Sequence, residues 1–338
     1  IRLTNITVNI GLNLFFYLLC PYLLKQEIAL EIINEIYDPN VGIGYIFISN
    51  LIASSVMLIL LSPEIFKLKF SFDFQIWKKM IKYGFPLLIG GLAYVTNEMV
   101  DRLLLEYLLP ASTATAQVGI YSACYKVAIF MSLFIQAFRY GAEPFFFAQA
   151  QKKDAKEQYE IVMRYFIAFT AFIFLSINVF IDIIKHFIQD EAYHAGLDVV
   201  PILLLANLFL GMYYNLSVWY KVSEKTRFGA YLSVAGAAIT IGLNILLIPT
   251  MSYLGSAWAT LICYASMCVM SYVFSRHHYP ISYNWKYISF YMISAISLFY
   301  IWTLWHDDHF IMSSLFCIIY IFSVVVLEKR KKISTFNL

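Results

Sequence analysis

YGFPLLIGGLAYVTNEMVDRLLLEYLLP, Tyr83 to Pro110, is long and apolar enough to cross a bilayer, yet it carries Asn97, Glu98, Asp101 and Arg102 within its length. A charge near the bilayer centre costs on the order of 3 kcal/mol on insertion scales, so three charges facing lipid would cost roughly 9 kcal/mol. The stretch therefore predicts a helix whose polar side faces other helices or a water-filled cavity. On a 3.6-residue period Asn97 and Asp101 stack one turn apart, and Glu98 and Arg102 do the same about 100° round the helix. One polar flank results, and the rest of the chain has to house it.

The composition agrees with a membrane protein. Of 338 residues 61% are hydrophobic and 13% charged, against roughly 25% charged in an ordinary soluble domain. The 26 Tyr and 29 Phe suit a multi-helix bundle with rings at the water boundaries. Cys20, Cys124, Cys263, Cys268 and Cys317 lie singly in or beside apolar runs, without a C-x-x-C pair, and read as small buried hydrophobes. His306-Asp307-Asp308-His309 sets metal-ligand types side by side, but a turn between two spans accounts for it. No P-loop, H-E-x-x-H or nucleophile elbow occurs, so nothing supports ATP-driven pumping or proteolysis by this chain. No cofactor or metal is expected.

Apolar runs of about 20 residues predict ten spans, over 4–24, 41–61, 83–109, 118–148, 161–184, 197–220, 229–248, 253–274, 287–305 and 309–327. Alternate connections differ sharply in charge. One set holds Arg2; Lys67, Lys69, Lys78, Lys79 and Lys82; Lys152, Lys153 and Lys156; Lys221, Lys225 and Arg227; Arg276 and Lys286; and Lys329 to Lys332. The other holds only Lys25 and Lys185. The positive-inside rule then places both termini in the cytoplasm. Such loops explain the net charge of +3 without nucleic acid. The opposite connections are short or acidic, Glu27, Glu31, Glu35 and Asp38 falling between Lys25 and Asn40, and none is large enough for a catalytic domain. Between spans two and three, Phe70, Phe72, Phe74 and Trp77 interleave with lysines, so residues 63–82 are either an interfacial amphipathic segment or a plain linker.

A short repeat adds organisation. Span one (NITVNIGLNLFFYLLCP) and span seven (GAAITIGLNILLIP) share Ile-Gly-Leu-Asn at 10–13 and 241–244, and each is followed by a span that opens on small residues, VGIGYIF and LGSAWAT. Both pairs run in the same sense, as in two lobes related by an axis along the membrane normal.

These stretches, with VGIYSACYKVAIFMSLFIQAFRYGAEPFFFAQ on span four, resemble the polysaccharide and lipid-linked oligosaccharide flippases, O-antigen flippases among them, of the multidrug/oligosaccharidyl-lipid/polysaccharide exporter superfamily. The resemblance implies an all-α, two-lobed bundle of fourteen spans arranged six, six and two, of which this chain covers all but about the first four. Ile1 opens directly in a span, and the natural N-terminus is expected to precede it. On that plan residues 1–62 end the first lobe, 63–82 link the lobes at the cytoplasmic face, 83–275 form the second lobe, 286–328 add two helices and 329–338 make a basic tail. The implied function is alternating-access transport, without bond-making chemistry, of a polyprenyl-(pyro)phosphate-linked oligosaccharide across the bacterial inner membrane. Its partners would be that cargo, membrane lipids and other polysaccharide assembly proteins, with H+ or Na+ as coupling ion. A cation-coupled multidrug or small-molecule antiporter of the same superfamily is the nearest rival, with Glu98 and Asp101 exchanging the ion, and a membrane glycan polymerase is a more distant one.

Such a cargo needs cations for phosphate and hydrogen bonds for hydroxyls. Arg102, Lys126 and Arg139 are the cations at membrane depth, and Asp101 and Lys126 lie at similar depth, about 12 Å inside their span ends. Either Arg102 and Lys126 face the phosphate while Asn97, Glu98 and Asp101 tune them, or the charges neutralise one another and lock the packing. Gln136, Arg139, Tyr140 and Glu143 form one face of span four, as a cavity entrance or as a helix leaving the membrane before Pro144. Asn9 and Asn13 continue a ladder from Asn5 that suits sugar hydroxyls or helix–helix glue. Arg164 reads as a snorkelling anchor. Gly84-Phe85-Pro86 and Gly90-Gly91 would let span three bend or pack closely.

Overall fold

The computed structural model describes residues 2–27, 33, 35–67, 71–188, 190–305 and 310–336. Glu31, Lys69, Phe70 and the 306–309 turn lie outside them. Among the described residues every regular element is a helix. Ten are long: α1 (Arg2–Lys25, with a π-helical turn at Phe15–Leu19), α2 (Gly44–Lys67), α3 (Phe74–Leu108), α4 (Ala111–Gln149), α5 (Ala155–Val179), α6 (Val199–Val222), α7 (Arg227–Met251), α8 (Tyr253–His278), α9 (Trp285–Trp305) and α10 (Phe310–Phe336). They correspond one to one with the expected spans, and the fold is an all-α polytopic bundle. Nine are long and apolar enough to cross a membrane. The tenth, α3, falls short because it contains the polar cluster.

The chain divides into two compact units, Ile1–Phe74 and Gln75–Leu338. In the first, α1 packs on α2. Asn9 Nδ2 donates to Asn50 Oδ1 across the pair at 2.6 Å, and Asn13 Nδ2 donates to the Asn9 carbonyl and side-chain oxygens at 2.9 Å. The ladder thus glues helices, and Phe16 stacked on Tyr45 at 4.3 Å completes the seam. Helical structure enters the 63–82 segment from both sides. Pro63 does not stop α2, because the Ser62 hydroxyl donates to the Ile59 carbonyl, the group Pro63 leaves without its backbone N–H. Residues 74–82 are already the first turns of α3.

The second unit is built around α6, which packs against α4, α5 and α8, while α8 also packs against α7. Small residues permit this. A Cβ on Gly211 of α6 would come within 2.4 Å of the Phe166 ring of α5. Gly255, Ser256, Ala257, Ala259 and Thr260, the small-residue opening of α8, are all buried. The α7–α8 turn is sharp, with Ser252 at φ +54°, and a Cβ on Gly255 would sit 2.6 Å from the Leu247 backbone. Helices α9 and α10 belong to this unit through α5. All five cysteines are buried thiols.

Arg164 is not a snorkelling anchor. It is 4% exposed, lies 3.4 Å from Glu160 and pairs with Glu328 of α10, which also accepts from Tyr291 of α9 at 2.5 Å. A buried arginine stays buried when acids satisfy it, and here those acids tie three helices together. Glu328→Ala strips one partner from a buried cation and is expected to destabilise the unit by about 3 kcal/mol, read as a lower midpoint of thermal unfolding in detergent. Gly255→Ala should likewise lower the midpoint, since the clash is with backbone, whereas Gly242→Ala, with open space around it, should not.

Candidate functional site

Helix α3 lies alongside α7 in the same direction. Tyr83 O accepts from Thr226 Oγ1 at 3.2 Å and Asp101 Oδ1 from Asn244 Nδ2 at 3.0 Å, both pairs 143 residues apart in sequence. Between them a side chain at Gly90 would meet Ser233, Gly229 and Ala230, and one at Gly236 would press on Asn97 and Met267. The polar flank of α3 therefore faces into the lobe, while Phe85, Leu88, Leu92, Val95, Met99 and Leu103 remain exposed on the other side.

That flank holds two carboxylates. Asp101, 2% exposed, accepts from Tyr121 of α4 at 2.9 Å, Thr260 of α8 at 2.7 Å and Asn244 of α7. Ser256 extends the network by donating to Asn244 Oδ1 at 2.7 Å. Glu98 accepts from Tyr125 at 2.8 Å and Tyr264 at 2.9 Å. Every one of these side-chain donors is neutral. Arg102 donates to the Glu98 backbone carbonyl and lies over the Tyr125 ring at 4.6 Å. Lys126 is exposed and makes no ion pair among the described residues. The Asp101–Lys126 pairing that equal depth allows is thus not formed, because hydroxyls and an amide from three other helices fill the sites around the carboxylate. No group of three His, Cys, Asp or Glu capable of holding a metal occurs among the described residues.

Beside this network, within the same unit, lies a cavity of about 340 Å3 between α3, α4, α6, α7 and α8. Asn97, Gln136 and Arg139 all line it, and Glu143 lines it too. Helix α4 runs through Pro144 to Gln149, so this face is not a helix end. Tyr140 is 70% exposed and does not line the cavity. Neither do Arg102, Lys126, Glu98 and Asp101, and Asn9 and Asn13 belong to the other unit. Sequence reasoning missed Lys221, which it assigned to a loop. The side chain returns to the cavity, where Nζ donates to Glu143 Oε1 at 2.6 Å. It missed as well the tyrosines of α6, Tyr213, Tyr214 and Tyr220, which are indistinguishable in an apolar run from core aromatics.

The family model described as polysaccharide biosynthesis protein matches residues 40–143, from the start of α2 through most of α4. Among solved structures, the chain is similar to the lipid II flippase MurJ in its inward closed conformation, with 17% identity, a TM-score of 0.65 and coverage of 86% of this chain and 63% of that one. The chain thus spans less than two thirds of the length of the structure it matches. No curated protein matches it by sequence. The fold is similar to that of MurJ.

Asp101→Leu would leave Tyr121 without its acceptor, while Asn244 and Thr260 retain bonds to their own helix carbonyls. The expected loss is about 1–3 kcal/mol. Asp101→Asn keeps an acceptor and should cost less, the two being ranked by thermal unfolding in detergent.

Proposed function

We propose that the chain forms the greater part of a flippase that carries a polyprenyl-(pyro)phosphate-linked oligosaccharide across the bacterial inner membrane by alternating access, for surface polysaccharide such as O-antigen or capsule. The observation that carries the proposal is the lining of the cavity. It combines two cations, Arg139 and Lys221, with one acid, Glu143, and with amides and tyrosines. A net positive, hydrogen-bonding chamber suits a phosphate joined to sugar; a drug or cation antiporter would need an acidic one. The polysaccharide-biosynthesis family match and the flippase fold support the same reading. The 18 to 2 asymmetry of Lys and Arg puts the lysine-rich end of α3 and both termini on the cytoplasmic side, so the charged part of the cavity is the part that cargo meets first.

The antiporter reading keeps one supporting observation, the carboxylates of Glu98 and Asp101 held by neutral donors. Within the flippase they serve as the coupling site, since carboxylates whose hydrogen-bond donors are all neutral can take up a proton or a metal cation. Transport in proteoliposomes containing the full-length protein should then depend on a Na+ or H+ gradient. Asp101→Asn should abolish that dependence, and transport insensitive to both gradients would refute the coupling role.

The cargo is tested by complementation. The full-length gene should restore surface polysaccharide in bacteria lacking their own O-antigen flippase; rescue only of cells depleted of lipid II flippase would replace the cargo with lipid II. Arg139→Gln combined with Lys221→Gln should lower export at least about tenfold with the protein still in the membrane. Unchanged export by this double variant would refute the role of the cavity.

A further inference from the structure

The cavity changes character along its length. Its charged end lies where Pro86 of α3 meets Glu143, Arg139 and Lys221. On α4 Gln136 is one turn from Arg139 and seven residues, about 10 Å, from Glu143, and Asn97 is eleven residues beyond Pro86 on α3, about 16 Å. Lys221 bonds Glu143, and Arg139 Nε, buried without a hydrogen-bond partner among the described residues, lies 3.9 Å from the same carboxylate oxygen with its guanidinium over the Tyr214 ring at 5.0 Å. Beyond Arg139 the lining is uncharged, with Asn97, Gln136, Leu210, Ser233, Tyr213, Tyr264 and Met267.

At that far end two acceptors are unmet. Asn97 is 2% exposed, and Asn97 Oδ1 and Gln136 Oε1 are both buried without a hydrogen-bond partner among the described residues. Burying an acceptor unpaired is costly, so two of them on residues that line one cavity favour a ligand that brings donors. Phosphate offers only acceptors at these positions and would be repelled. A sugar offers hydroxyl donors on its rim and a C–H face that packs on aromatic rings such as Tyr213 and Tyr264. Size agrees: at about 30 Å3 per water in the liquid, a cavity of about 340 Å3 has the room of roughly eleven waters, which is one or two sugar rings.

We propose that the neutral end of this cavity is a glycan subsite that seats one uncharged sugar ring through Asn97 and Gln136, leaving the phosphate at the charged end. The proposal rests on the flippase reading and adds to it an orientation and a specificity: the sugar enters ahead of the phosphate, and an acidic sugar is discriminated against at this position. Asn97 and Gln136 become specificity residues, and Arg139 and Lys221 general head-group residues.

The test is lipid binding by the full-length protein in nanodiscs. The probes are bare undecaprenyl pyrophosphate and a panel of the same lipid bearing a single neutral hexose, N-acetylhexosamine or uronic acid. At least one neutral-sugar lipid should bind about tenfold more tightly than the bare lipid, and the uronic-acid lipid should show no such gain. Gln136→Leu and, separately, Asn97→Leu should bring the ratio of sugar-bearing to bare affinity to about one; Gln136→Met, closer in shape, serves if the leucine variant does not fold. Arg139→Gln should weaken all probes alike and preserve the ratio. Equal wild-type affinity for neutral-sugar and bare lipid, or variants at 97 and 136 that weaken every probe in parallel, would overturn the subsite while leaving the flippase reading intact. Binding of no probe at all would overturn both.

Discussion

A carboxylate that cannot face lipid has to be surrounded, and the second unit is arranged so that Asp101 is. Its donors come from α4, α7 and α8, three helices that share no local sequence with α3. In a membrane, apolar packing alone discriminates weakly between one helix arrangement and another, because lipid tails are as apolar as leucine. Polar groups supply the discrimination. Asn244 illustrates the economy involved: its amide serves Asp101 and its own Thr240 carbonyl, and its oxygen serves Ser256. The matching asparagine of the repeat, Asn13, makes the same bond to the carbonyl one turn back but has Asn9 in place of an acid. The two units thus use one local device, joined in one case to helix cohesion and in the other to a buried charge.

Much of this was legible in the sequence for a simple reason. Charges inside apolar runs are few, and each must be paid for locally, so Asn97, Glu98, Asp101 and Arg102 announced an inward flank before any partner was known. Span boundaries were legible from hydropathy and from the alternation of Lys and Arg. Partners were not. Arg164 and Glu328 are 164 residues apart, and nothing near either one points to the other. Lys221 was absorbed by the topology of basic loops, although its side chain turns back into the lobe. Pro63 stays inside α2 while the hydroxyl of Ser62 takes the carbonyl it leaves unpaired, a pairing that a pattern of residue types does not express.

The two polar regions divide chemical labour. Glu98 and Asp101 are enclosed by hydroxyls and amides and stand apart from the cavity lining, while Arg139 and Lys221 meet the cavity but share Glu143. The carboxylates and the cavity lining therefore occupy neighbouring compartments with α3 as their common wall. Asn97 and Glu98 are adjacent on that wall, one lining the cavity and the other tied to Tyr125 and Tyr264. Tyr264 belongs to both compartments, lining the cavity and donating to Glu98.

The constant 143-residue offset between α3 and α7 carries a mechanical meaning. The contacts at Tyr83 and Asp101 are separated by 18 residues, about 27 Å of helix, and they match only in one register. Sliding α3 by a single turn, about 5.4 Å, would break both together. No intermediate position keeps half of the bonds. Helix α3 is therefore indexed to its lobe in one register, by contacts that flank both Pro86 and the Gly90-Gly91 pair.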